Sequence, residues 1–272
     1  VVPGAIVVVP EDAVVFLAVR DLAGLAEELE GAGELFDDDG IFGEGPEELR
    51  EELEDRTDID LRHPSDLADH DVNLVGTFGA SVHLVDDVPV VALYVPTSGP
   101  AFSEFLEDVA EKNDADIEDD AVGGVIIYSG DDDDSAGDDE GAEGGFAWAT
   151  VDDYTILAYG GPRNDSAADW LEDLVEEKDE RAVDSEWFAA LGPALKRDWH
   201  LFASVNVDPL DEVLDSVFDN SDLSEIESEA REFLESIDAL ATGVHVRSDR
   251  VTHFAMLLGS KDAELAEFVS GA

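Results

Sequence analysis

Cysteine is absent from this 272-residue chain, which excludes disulfides, thiolate nucleophiles and cysteine-held metals. Basic residues are scarce. Lys and Arg together number 14 against 70 Asp and Glu, a formal charge of −56. Binding DNA or RNA needs a lysine and arginine footprint, and the longest basic cluster here is Lys196-Arg197. Nucleic acid is therefore excluded as a partner, and direct contact with anionic membrane is disfavoured for the same reason. No apolar run approaches the roughly 20 residues of a membrane helix. The chain starts Val1-Val2-Pro3-Gly4, without methionine or a charged leader, and reads as a processed protein or a piece of a longer one.

Catalytic signatures are also missing. The sequence holds no GxSxG, and the nearest serine context, Tyr128-Ser129-Gly130, ends a strand-like run. No GxGxxG follows a strand, and Gly31-Ala32-Gly33 comes after a helical pattern. Neither HExxH nor HxH occurs among the six histidines. With 70 acids, any two lie near each other, so carboxylate pairs single out no glycosidase-like site.

What is present is a foldable, salt-adapted chain. Hydrophobic residues make up 44 %, with 13 Phe, 4 Tyr and 4 Trp spread along the length, so a disordered acidic chain is excluded. Like charge on this scale opposes compaction in dilute buffer. In molar salt the Debye length falls to about 3 Å and the repulsion is screened. Folding is expected to depend on salt.

The strongest pattern is internal similarity. Residues 81–95 lie over 243–257 without a gap, pairing Val82 with Val244, His83 with His245 and Asp87 with Asp249. Both read as strand, polar turn, strand, each followed by a helix-like segment at 101–109 and 262–269. Residues 146–159 form a third such hairpin around Val151-Asp152-Asp153 and lead to an apolar stripe at Ala168, Trp170, Leu171, Leu174 and Val175. Ala13–Val19 matches Leu201–Val207, each running to an aspartate at an N-cap position, Asp21 or Asp208. A long helix opens at Ser224. The predicted fold is α+β: antiparallel sheet from repeated β-hairpin–helix units, with helices packed on one face. Two halves are expected, 1–182 and a shorter 183–272, within what can be one continuous domain. Acidic stretches at 36–46 and 130–145 read as loops.

Candidate sites are few. Asp131, Asp132, Asp133 and Asp134 invite a calcium reading, but Ala136 stands where an EF-hand needs glycine. Diffuse cation binding and no resident cofactor are expected. His63 and His70, beside Asp66, Asp69 and Asp71, are the candidate zinc pair. His83 and His245 occupy matched repeat positions, which points to packing. Asn164-Asp165-Ser166 is a sequon, making Asn164 the glycan site of an exported protein.

Val9-Pro10-Glu11-Asp12-Ala13-Val14-Val15-Phe16, the aromatic-rich hairpin from Ala147 to Ala158, and Asp184-Ser185-Glu186-Trp187-Phe188 ahead of Leu201–Val207 together resemble a family of envelope-associated bacterial and archaeal proteins, domain of unknown function family 3352. The resemblance implies an envelope or extracellular setting and carries no catalytic residues. The expected function is non-enzymatic binding or assembly, with a protein partner or self-assembly. The alternatives are a small apolar-ligand carrier with a cavity lined by Phe146, Trp148 and Tyr154, and a metal-dependent hydrolase using His63 and His70.

Overall fold

The computed structural model describes residues 8–31, 65–85, 88–112, 115, 117–131, 145–160, 166–176, 182, 185–206, 239–247 and 249–258. Ten strands join in one antiparallel sheet in the order β10-β9-β8-β1-β2-β3-β7-β6-β5-β4. The strands are β1 (Val15–Arg20), β2 (Thr77–Val85), β3 (Val88–Pro96), β4 (Ile117–Val122), β5 (Val125–Asp131), β6 (Gly145–Val151), β7 (Tyr154–Gly160), β8 (Leu201–Asn206), β9 (Ala239–Arg247) and β10 (Arg250–Leu258). Helices α1 (Leu22–Gly31), α2 (Ser65–Ala68), α3 (Ala101–Lys112), α4 (Ser166–Glu176), α5 (Glu186–Ala190) and α6 (Gly192–Leu195) complete the described elements.

Local chemistry sets the boundaries. Asp21, with φ of 55°, accepts the Gly24 N–H at 3.0 Å and opens α1. Ser185 does the same for α5, taking the Phe188 N–H. Gly123 and Gly124 both have positive φ and turn β4 tightly into β5, the conformation of a two-residue hairpin loop.

The expected α+β arrangement of separate hairpin–helix units with helices on one face is corrected by this topology. Sheet dominates: strands from every unit hydrogen-bond into a single ladder, and β1 pairs with β8 across the expected boundary between halves. Helices lie on both faces. Four strands, β4 to β7, stand between α3 and α4, where the sequence indicated a strand at 125–128 and the hairpin of 146–159. Strand β4 escaped detection because its residues Glu118, Asp119 and Asp120 are exposed at the sheet edge. An edge strand in water needs no alternation of apolar residues.

The repeat itself has a structural counterpart. Hairpin β2–β3 and hairpin β9–β10 have the same strand lengths and the same two-residue gap. Strands β1-β2-β3 and β8-β9-β10 spread outward from the β1–β8 pair, giving that part of the sheet an approximate two-fold relation. Register places Val15 opposite Val82 and Leu201 opposite Val244. Val15 is thus the counterpart of Leu201, two residues away from the expected match with Ala13.

One face, called inner here, carries the main core. Helix α4 lies on Ala92, Ala147 and Ala158, a cross-strand row of small residues. Its Trp170, Leu171, Leu174 and Val175 fill the space above them. Phe16, Tyr94, Ile156 and Phe202 extend that core along the same face. On the outer face Trp148 stacks between Tyr128 and Phe146 at centroid distances of 5.1 and 5.9 Å. Its indole N–H donates to Ser103 Oγ of α3 at 3.1 Å.

Candidate functional site

Three arrangements carry functional side chains. The first is a buried relay in the inner core. Strand alternation puts Ser81 and His83 on one face of β2, and the chain near β1 brings Asp12 beside them. Ser81 Oγ lies 2.6 Å from His83 Nε2, and His83 Nδ1 lies 3.0 Å from Asp12 Oδ1. Those contacts repeat the connectivity of a serine nucleophile, base and orienting acid. The surroundings differ. Ser81 is 1 % exposed and His83 0 %. The Tyr94 hydroxyl occupies the other side of Ser81 Oγ at 2.8 Å, and the Trp170 ring covers His83 at 4.8 Å. A nucleophile must reach its substrate, and here helix α4 and Tyr94 take that space. The relay ties the Asp12 segment, β2, β3 and α4 together.

The second arrangement is the outer face. Register aligns Val15, Val82, Val91 and Tyr159 in one row, and Leu17, Ala80, Leu93, Leu157 and Trp148 in the next. Extending the alternation along β1, β2, β3, β6, β7, β8, β9 and β10 gives outward positions without a single Asp, Glu, Lys or Arg. Much of this surface is open: Leu17 is 48 % exposed, Leu93 47 % and Tyr159 51 %. Towards β8, β9 and β10 it sinks into an open trough of about 260 Å³, walled by Val15, Ala203, Val205, Leu240 and Ala255. A separate cleft of about 530 Å³ has a mixed lining that includes Val8, Asn73, Pro96, Asp152, Asp153 and Tyr154. Burial, aided by Asp153, pushes the Tyr154 phenol up to about 12. Tyr154 therefore stays protonated and donates to Thr77 O.

The third is a set of basic side chains where β1, β8 and β9 end. His200 and His245 stack at 4.5 Å, and Arg247 Nε donates to His245 Nε2 at 3.0 Å. The Arg20 guanidinium lies 4.0 Å over the Trp199 ring. Desolvation holds His245 below the ordinary imidazole range. His200 and Arg247 push the same way, against Asp198 and Glu28.

The sequence-derived candidates fall elsewhere. His70 packs on Phe105 at 4.4 Å, whereas His63 lies outside the described residues. Asp131 ends β5 opposite Gly145; Asp132, Asp133, Asp134 and Asn164 lie outside the described residues, as do the segments 36–46, 208–217, 224–238 and 262–269. Among the described residues no three His, Asp or Glu side chains are grouped to hold a metal ion, and no described helix is long and apolar enough to cross a membrane. Asp71 instead serves α3, accepting the Ala101 N–H at 3.3 Å. The carrier trio is split, with Phe146 and Trp148 on the outer face and Tyr154 on the inner.

Motif reasoning missed all three arrangements. Ser81 and His83 two residues apart on a strand were a legible hint. Asp12, 71 residues from His83, and the meeting of Arg20, His200 and His245 depend on strand order.

No family model and no curated protein matches this chain. Among solved structures, crystal form IV of TP0453 is similar with a TM-score of 0.44 and 11 % identity, covering 94 % of this chain and 80 % of that one. Crystal form I gives 0.42 and 11 %, over 94 % and 78 %. Crystal form III gives 0.42 and 13 %, over 96 % and 82 %. Likeness at this level carries no argument about function.

Proposed function

We propose that this chain is a non-enzymatic binding or assembly protein of a halophile's envelope or exterior, working through the outer face of its sheet. One observation carries the reading: a chain with 70 acidic residues keeps all of them off the outward positions of eight neighbouring strands. A solvated face of such a protein would be expected to share the acid surplus. Contiguous exposed apolar surface beyond a few hundred Å² marks an interaction site, and brine strengthens that tendency. The fitting occupant is a second copy, because two uncharged sheet faces cover each other in the manner of packed sheets about 10 Å apart. The envelope setting rests on the family resemblance of the 9–16, 147–158 and 184–188 segments.

Placing aspartate at Leu93 and Tyr159 tests this. In molar KCl the unaltered protein is expected to sediment as a dimer or larger species. The L93D/Y159D variant should sediment as a folded monomer with an unchanged circular dichroism spectrum. A monomeric starting protein, or a double variant that unfolds, would show that the face serves the chain's own packing. The carrier reading has two open hollows to draw on among the described residues, the outer trough of about 260 Å³ and the cleft of about 530 Å³ beside Tyr154, and neither brings Phe146, Trp148 and Tyr154 together.

A further inference from the structure

Basic side chains are rare in this molecule, and those among the described residues are unevenly placed. Of the six Lys and Arg among the described residues, Arg20, Lys196, Arg197, Arg247 and Arg250 gather at one end of the sheet, leaving Lys112 on α3. The strand register explains the gathering. Val19 pairs with Leu201 and Leu201 with Val244. The next inner-face positions are Arg20 on β1, His200 before β8 and His245 on β9. Backbone bonds from Arg20 N to His200 O and from His200 N to Val244 O, both 2.8 Å, carry the ladder to this row. Arg247 is the next inner position on β9, and Arg250 faces it across the hairpin.

Hydrogen bonding fixes which imidazole atoms hold protons. His200 Nδ1 accepts the Val246 N–H at 3.3 Å, so its neutral ring is protonated at Nε2. His245 Nε2 accepts from Arg247 Nε, so its neutral ring is protonated at Nδ1. That Nδ1 is buried and has no hydrogen-bond partner among the described residues. The row thus offers the His200 Nε2–H and the guanidinium groups of Arg247 and Arg20, beside the buried and unpartnered His245 Nδ1–H. It is all donors. The nearby acids Asp198 and Glu28 temper the charge around His245, and Asp198 does the same for Arg20.

We infer that this row, centred on His200, His245 and Arg247 and flanked by Arg20, binds a small polyvalent oxyanion of the phosphate or sulfate class. Donors on neighbouring strands, about 4.8 Å apart, suit a ligand with several acceptor oxygens better than a spherical chloride. Guanidinium groups bind such oxygens two at a time. A broad polyanionic surface is repelled by the rest of the molecule, whereas a single oxyanion needs only this local row.

The test is a titration of the whole chain with sodium sulfate, inorganic phosphate and glycerol phosphate, at constant ionic strength in KCl, followed by histidine ring NMR. Saturable shifts of the His200 and His245 signals are expected with sulfate and phosphate, with the His83 signal unmoved. Equal or tighter binding of glycerol phosphate assigns a phosphate ester as the ligand class, and weaker binding assigns the free ion. R247Q, at an exposed position, should keep its circular dichroism spectrum and weaken binding about tenfold or more. K112Q, at the remote lysine, should bind as the parent does. Linear shifts without saturation, equal weakening in both variants, or parent-like affinity in R247Q would overturn the proposal.

Discussion

Ser81 and His83 show how similar contacts serve different ends. In a serine hydrolase the hydroxyl faces a cleft and the histidine moves its proton to and from substrate. Here the hydroxyl is held between His83 and Tyr94 in a buried relay that can give each of its own donors an acceptor. Removing one member strands its neighbours, and an unsatisfied buried polar group costs about 1–3 kcal/mol. Ser81→Ala is therefore expected to lower stability by about 1–3 kcal/mol, measured by denaturant unfolding in molar KCl. A loss below about 0.5 kcal/mol would mean the relay contributes little beyond its packing. His83 was legible as a residue kept by packing, from its repeat position. Its partner Asp12 was not, since nothing local links residues 12 and 83.

At the scale of elements, helix α4 and strand β7 give the clearest contrast. Ala158 and Tyr159 are neighbours in sequence and face opposite sides of the sheet. Ala158 sits beneath α4, where the helix approaches the strands across small side chains. Ala158→Leu should force the helix away and cost about 1–3 kcal/mol. Tyr159→Leu, on the open face, should change stability by less than about 0.5 kcal/mol. Thermal unfolding of the two variants under one salt condition checks both, and similar losses would contradict the assigned faces. The hairpin β6–β7 and the stripe of α4 were readable because period-two and period-3.6 patterns survive in their apolar residues. Strand β4 was not, because its exposed acids erase the pattern.

For the molecule as a whole, charge is expected to set the conditions under which this structure forms. A formal charge of −56 on one compact body is self-repulsive, and screening relieves it only when the Debye length shrinks to a few Å. The far-ultraviolet circular dichroism signal is expected to grow cooperatively as KCl rises from millimolar to molar concentrations. A spectrum unchanged at the lowest salt would contradict this. The acid surplus also gives the uncharged outer face and the basic sheet end their meaning. On a molecule of mixed charge neither would stand out.

Composition determined the absence of disulfides, and it set the expectations of a salty solvent and of no nucleic-acid partner, since these follow from residue counts alone. Periodicity determined the hairpins and the first-to-last repeat, since alternation is a local property of the chain. Tertiary structure decided the single ten-stranded sheet, the faces on which helices lie, and the neighbours of each polar side chain. Those depend on which strands pair. Pairing is chosen by the packing of distant segments, and no short stretch of sequence contains it. The meeting of Arg20, His200 and His245 is the plainest case: three ordinary residues far apart in the chain, made into one row by the order β1-β8-β9.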